Sequence, residues 1–240
     1  MKESRYFYVP DPVSQPELPM EEGMHALRVL RLKSGDEMFL MDGLGKVYRA
    51  EVTLAATKRC VYEIKETIEV PKTWRGRIHL AIAPTKMLDR IEWLAEKATE
   101  VGFDELTFLN CKFSERKVMR TVRLEKIIIS ALKQSRKSWK PVINSMLQFR
   151  DFIKRPRQGR KFIAHCYDGI PREDFFEALQ GTGDEEVTVL IGPEGDFSPE
   201  EVQMAQEAGY VSVSLGKSRL RTETAGLAAV MMSQLVLREK

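Results

Sequence analysis

Apolar and β-favouring residues cluster in four short stretches of the first seventy residues, 5–8, 36–41, 47–55 and 61–70, which read as extended segments. Turn residues separate them, notably Ser34-Gly35-Asp36 and Asp42-Gly43-Leu44-Gly45. Among these residues the run 24–32 alone reads as helical, so this part of the chain is a small, mostly β unit. Beyond Pro71 the texture changes. Apolar runs at 78–83, 106–109, 142–147, 162–166, 187–191 and 211–215 predict strands, with helical periods between them. One such helix carries Met87, Ile91, Leu94, Ala98 and Val101 at alternating spacings of three and four. Strands alternating with helices predict a parallel sheet covered on both faces. The domain boundary is expected at residues 69–75, giving domains 1–70 and 71–240.

Two strands of the second domain end in loops of similar design. The strand at 187–191 runs into Gly192-Pro193-Glu194-Gly195, after which Ser198 is a candidate helix N-cap, Pro199 suits the first helical position and Glu201 completes a capping box. Gly192 and Gly195 permit close backbone approach to a ligand. The next strand, 211–215, leads through Gly216 and a polar loop to Thr222, where a long terminal helix begins. Loops at the carboxyl ends of parallel strands are where such sheets bind ligands, so one pocket built by both is expected. Neither loop carries the GxGxxG of a dinucleotide fold or the GxxxxGK[ST] of a phosphate loop, and composition alone names no ligand. The terminal helix, residues 222–237, is apolar nearly all round and is expected to be buried in the fold or in a subunit interface.

Charge sharpens this picture. The net charge of +3 conceals a middle third, residues 71–160, with 21 basic and 9 acidic side chains, whereas residues 1–70 hold 10 and 12. Between Cys111 and Lys140 a helix is expected to pack through Leu124, Ile128, Ala131 and Leu132 and to turn Arg123, Lys126, Lys133 and Lys137 outward, with Trp139 available for stacking. Such an excess of bases suits contact with nucleic-acid phosphates, and Arg116 and Arg136 are further candidates. Arg5 and Arg28 are expected to add local nucleic-acid contacts from the first domain. Cys60, Cys111 and Cys166 lie about fifty residues apart without a CxxC pair, which disfavours structural zinc and disulfides; no metal is expected. Neither a signal peptide nor a membrane-length apolar run is present, so a cytoplasmic protein is expected. His25, His79 and His165 are scattered and receive no role.

The stretches Leu190-Ile-Gly-Pro-Glu-Gly-Asp-Phe-Ser198, Leu215-Gly216 and Leu220-Arg-Thr-Glu-Thr-Ala225 closely resemble the signature loops of the RsmE family of bacterial ribosomal RNA methyltransferases, within the SPOUT superfamily. The resemblance extends to Glu96-Lys-Ala-Thr-Glu-Val-Gly102, Ser114-Glu-Arg116, Arg5-Tyr6-Phe7 and His25-Ala-Leu-Arg-Val-Leu30, and so spans the chain. It implies an α/β fold in which a PUA-like, β-rich RNA-binding domain precedes a SPOUT parallel sheet tied in a trefoil knot. It also implies S-adenosylmethionine as methyl donor, a homodimer, and N3 of a uridine in small-subunit (16S) ribosomal RNA as acceptor. The donor site is expected to draw on Leu190, Ile191, Gly192, Pro193, Glu194 and Gly195, and on Leu215, Gly216, Leu220, Arg221, Thr222 and Ala225. Arg221 is a candidate for stabilising negative charge on the uracil, and Glu223 for accepting a proton or pairing with the cationic donor. Two departures stand out. Asp196 replaces a glycine usual in the family, and the segment Lys133-Gln-Ser-Arg-Lys-Ser-Trp-Lys140 is more basic than its usual counterpart. Competing readings are a SPOUT enzyme acting on transfer RNA and a non-catalytic RNA-binding module.

Overall fold

A computed structural model of the chain describes residues 5–239. Two compact units emerge, one of residues 1–72 with 129–140 and the other of residues 73–128 with 141–240. Residues 129–140, which the sequence places in the second domain, cluster with the first unit.

In the first unit, β1 (Tyr6–Tyr8), β2 (Glu37–Met41), β3 (Lys46–Ala55) and β4 (Cys60–Glu69) form one sheet in that order. β1 runs parallel to β2, and the other pairs are antiparallel. Alternation places Phe7, Met38, Leu40, Ala50 and Val52 in a core closed by Leu18, Ala26 and Leu32. The helix begins earlier than its apolar pattern suggests. α1 (Met20–Met24) follows Pro19 and passes into a π-helical turn, His25–Val29, in which the Leu30 amide donates to the His25 carbonyl.

The second unit is a seven-stranded, wholly parallel sheet of β5 (Arg77–Ile82), β6 (Glu105–Asn110), β7 (Val142–Gln148), β8 (Arg160–Ala164), β9 (Glu173–Asp174), β10 (Glu186–Ile191) and β11 (Val211–Ser214). Its order is β7-β6-β5-β10-β8-β11-β9. The helices are α2 (Leu88–Val101), α3 (Val122–Ser135, whose residues from Ile129 on belong to the first unit), α4 (Phe149–Ile153), α5 (Phe175–Leu179), α6 (Pro199–Glu207) and α7 (Thr222–Leu237). One face packs Ala81, Ala83, Ile163 and Leu190 against Phe149, Phe152 and Val202 of α4 and α6. The other face receives α7, which lies on β5, β10, α2 and α5. Gly226 lets α7 come close, since a Cβ there would lie 3.0 Å from Ile82 and 3.1 Å from Leu94. Along α7 only Thr224, Met231 and Leu235 are exposed, at spacings of seven and four that align them in one stripe. No helix among the described residues is long and apolar enough to cross a membrane.

Candidate functional site

The sheet order brings three strand ends together. Because β10 and β11 both pair with β8, the loops after Ala164, Ile191 and Ser214 emerge side by side at the carboxyl edge. The first glycine loop is fixed by α6, whose cap is the expected box: Ser198 Oγ accepts from the Glu201 amide at 3.3 Å and Glu201 accepts from the Ser198 amide at 2.9 Å. Asp196 makes the loop's corner in the left-handed region, at φ +66°. Aspartate tolerates this conformation better than most residues. Its carboxylate also accepts from the Cys166 and Phe197 amides, each at 2.8 Å, so the side chain supplies contacts that a glycine lacks. In the second loop, Gly216 takes φ +115° and its amide donates to Ser214 Oγ at 3.3 Å.

The three loops and the start of α7 enclose a cavity of about 380 Å³, within the range of small-molecule sites. Ile191, Gly192, Pro193 and Glu194 line it from the first loop, and Leu215, Gly216, Leu220, Arg221, Thr222 and Ala225 from the second. Two expected residues do not. Leu190 is fully buried and belongs to the core on the α4 and α6 face, as strand alternation requires. Gly195 sits in the turn that the Asp196 amide closes onto the Pro193 carbonyl, and a Cβ there would press on Phe113 rather than on the cavity. Glu194 reaches over the edge to accept from the Lys86 amide at 2.9 Å, an anchoring contact.

The β8 end supplies cavity residues that no sequence pattern marks. His165 and Cys166 line the cavity along with Arg90, Arg172 and Arg219. His165 is 4% exposed, and burial lowers its pKa. Its Nδ1 accepts from the Tyr167 amide at 3.3 Å, which leaves the ring proton on Nε2, a buried atom without a partner. Strand adjacency is what brings His165 here, and a single sequence shows apolar runs without showing which runs are neighbours. Glu223, expected to be catalytic, is 7% exposed and lies outside the lining, with Oε1 3.8 Å from Arg90 Nε and Oε2 unpartnered. Arg221 is exposed at the N-cap of α7.

The basic segment is less free than its composition implies. Arg123 pairs with Glu92 at 2.7 Å and Lys133 with Glu22 at 2.7 Å, while Arg116 donates to the Thr85 and Lys86 carbonyls at 3.1 and 2.6 Å. Burial pushes the Lys137 pKa down. Arg136 is exposed, in the left-handed region at φ +54°, with its guanidinium 5.6 Å from the Tyr6 ring centre. Trp139 is occupied within its own unit, donating to the Val70 carbonyl at 2.8 Å and lying against Gly45. In the first unit Arg5 pairs with Asp36 at 3.3 Å and Arg28 is exposed. The acids that neutralise this helix come from distant parts of the chain, which counting local charge does not register.

Residues 72–234 match the family described as the RNA methyltransferase domain, and residues 18–65 match the RNA methyltransferase PUA domain. The Ribosomal RNA small subunit methyltransferase E of Aquifex aeolicus is 31% identical over 211 residues, 85% of this chain and 87% of that protein. A crystal structure of a probable rRNA-methyltransferase from Porphyromonas gingivalis superposes with a TM-score of 0.91 at 41% identity, covering 97% of this chain and 98% of that one. That of a Ribosomal RNA small subunit methyltransferase E from Neisseria gonorrhoeae, bound to S-adenosyl methionine, gives 0.83 at 28% identity and covers 98% of each. With its two signature loops meeting at one cavity and both domains matched in order, the chain belongs to the RsmE family of RNA methyltransferases.

Proposed function

We propose that the chain methylates N3 of a uridine in 16S ribosomal RNA, with S-adenosylmethionine as donor. The observation that carries this reading is the cavity formed where the two glycine loops meet the β8 end, in a chain similar throughout to a protein with S-adenosyl methionine bound. The lining fits such a ligand. Ile191, Leu215, Leu220 and Ala225 offer apolar walls, loop amides and carbonyls lie between them, and nothing stands within 4 Å of where a Gly216 side chain would be. The unpartnered His165 Nε2 is a further polar atom in the lining residues.

When bound between the two loops, S-adenosylmethionine would supply an activated sulfonium methyl group, with S-adenosylhomocysteine as leaving group and the N3 proton released to solvent. The exposed Arg221 guanidinium, at the cavity wall, suits the negative charge that builds on the uracil carbonyls. Glu223, behind that wall, acts through Arg90 and not on the reacting atoms. The first unit and the exposed Arg28 and Arg136 contribute RNA contacts, and the enzyme works in the cytoplasm, where ribosomal RNA is assembled.

Calorimetry is expected to show binding of S-adenosylmethionine and S-adenosylhomocysteine but not of ATP or NAD, whose loop fingerprints are missing. Mass spectrometry of ribosomal RNA from cells with and without the protein should differ by one methylated uridine. A methylated transfer RNA instead would select the other enzyme reading, and no donor binding would leave an RNA-binding module. The chain also forms a homodimer in this proposal, because Met231 at 47% and Leu235 at 49% exposure continue an otherwise buried α7 face. Sedimentation of a clean monomer at micromolar concentration would remove the dimer.

A further inference from the structure

A second cavity, about 650 Å³, adjoins the donor cavity at the same edge of the sheet. The two share Cys166, Arg172, Asp196 and Arg219 as common wall, and Tyr167 and Lys217 line the second alone. Its lining carries three bases, Arg172, Lys217 and Arg219, against two acids, Asp168 and Asp196. Both Asp196 oxygens are engaged by amides, those of Cys166 and Phe197. Asp168 pairs with Arg172 at 2.9 Å from a side chain 98% exposed, a weak contact in water. Arg172 is further tied to the His165 carbonyl at 2.8 Å. Lys217 and Arg219 are exposed on the Gly216 loop, and among the described residues neither has an acidic partner within 4 Å. This sets them apart from Arg123 and Lys133 of the basic helix, which are paired.

The remaining wall is aromatic and held still. Tyr167 is half-buried, and its hydroxyl donates to the Phe197 carbonyl at 2.6 Å, so its ring is ordered before any ligand arrives. Unpaired cations beside a fixed ring are the elements that bind single-stranded nucleic acid, the cations on phosphate and the ring against a base.

We propose that this second cavity is the acceptor site: an unpaired RNA nucleotide binds with its phosphate at Lys217 and Arg219 and its base along Tyr167, next to the wall shared with the donor. This rests on the methyltransferase reading above, and it moves the RNA contacts nearest the chemistry from the basic helix to the Gly216 loop.

Lys217 is the clean probe, because it lines the second cavity and not the first. In the full chain, Lys217→Ala is expected to weaken binding of a single-stranded RNA oligonucleotide about tenfold and to flatten the log–log salt dependence by about 0.7, the value for one lost phosphate contact. Lys217→Glu should weaken it further, with S-adenosylhomocysteine affinity within about twofold of wild type in both variants, as expected for a residue outside the donor cavity. Tyr167→Leu should lose about tenfold in RNA affinity with an unchanged salt slope, since stacking releases no counterions. Unchanged RNA affinity and slope in the Lys217 variants, or a parallel fall in S-adenosylhomocysteine affinity, would overturn the assignment. Wild-type protein that binds no S-adenosylhomocysteine would overturn the methyltransferase reading, and this proposal with it.

Discussion

Gly192→Val is expected to lower affinity for S-adenosylmethionine by about 100-fold, the upper end of the roughly 1–3 kcal/mol that forcing extra methyl groups into a packed wall costs. A Cβ on Gly192 would lie 2.9 Å from the Phe197 amide nitrogen and 3.1 Å from the Asp196 carbonyl carbon. Both neighbours are backbone, and that backbone is pinned by the Asp196 carboxylate and by the capping box of α6, so the strain is relieved by moving the cavity wall. Gly195→Val provides the contrast. Its added Cβ meets chiefly the Phe113 side chain, at 3.2 Å, outside the donor cavity. Calorimetry on the two variants, each checked for a cooperative unfolding transition, separates the glycines. Equal losses in both, or none in Gly192→Val, would contradict the cavity's assignment to the donor.

The sequence does not distinguish the two glycines, both of which it offers for close approach to a ligand. The Gly192-Pro193-Glu194-Gly195 loop is legible because an apolar strand, a glycine corner and a capping box follow one another locally, and every one of those elements forms where its pattern predicts. Which of two glycines faces the ligand depends on which way the turn opens, and the two differ only in their neighbours, Phe197 for one and Phe113 for the other. Phe113 lies some eighty residues away in the chain, so no local pattern contains it. The same limit hid His165, Cys166 and Arg172, which join the site because β8 lies between β10 and β11. Periodicity identifies strands, and sheet order is decided by packing between distant segments.

Charge shows a complementary limit. The excess of bases in residues 71–160 is real, yet Glu22 and Glu92 engage Lys133 and Arg123, and the carbonyls of Thr85 and Lys86 hold Arg116. A sum over sequence registers charge, whereas phosphate responds to charge left unpaired. Lys217 and Arg219 sit in the acidic last third of the chain, where net charge gives no hint of them. Asp196 is the reverse case. The sequence marks it as a departure, and the structure shows an acid that adopts the conformation of a glycine and adds two hydrogen bonds.

Acid should destabilise the second unit well before its carboxylates titrate, by about 1.4 kcal/mol for each pH unit below 6.5 from His79 alone. His79 is fully buried, with Nε2 2.8 Å from Thr107 Oγ1 and Nδ1 2.6 Å from Arg157 Nη1. Arg157 has only donors, so Nδ1 accepts, the ring proton resides on Nε2, and Thr107 accepts that proton while also accepting from Asn144 at 2.8 Å. A second ring proton would have to be placed on Nδ1, against a guanidinium. Burial first, then the charges of Arg157 and Arg77, bring the His79 pKa down to about 2; Glu105, 3.7 Å away, does not offset them. The folded-state pKa is lowered, so the stability is fully present above pH 6.5, where both states are neutral. It declines below 6.5 as the unfolded chain takes up a proton that the folded chain refuses, and this continues down toward pH 2. Two units of acidification, to pH 4.5, thus cost roughly 3 kcal/mol, a large share of a typical domain's stability. His165, whose pKa is also lowered chiefly by burial, adds a contribution of the same sign. Urea midpoints measured between pH 7.5 and 5 test the slope, and nitrogen-15 imidazole shifts of the folded protein at pH 5 test its origin. A flat stability profile, or a doubly protonated His79 ring in the folded state at pH 5, would refute the assignment.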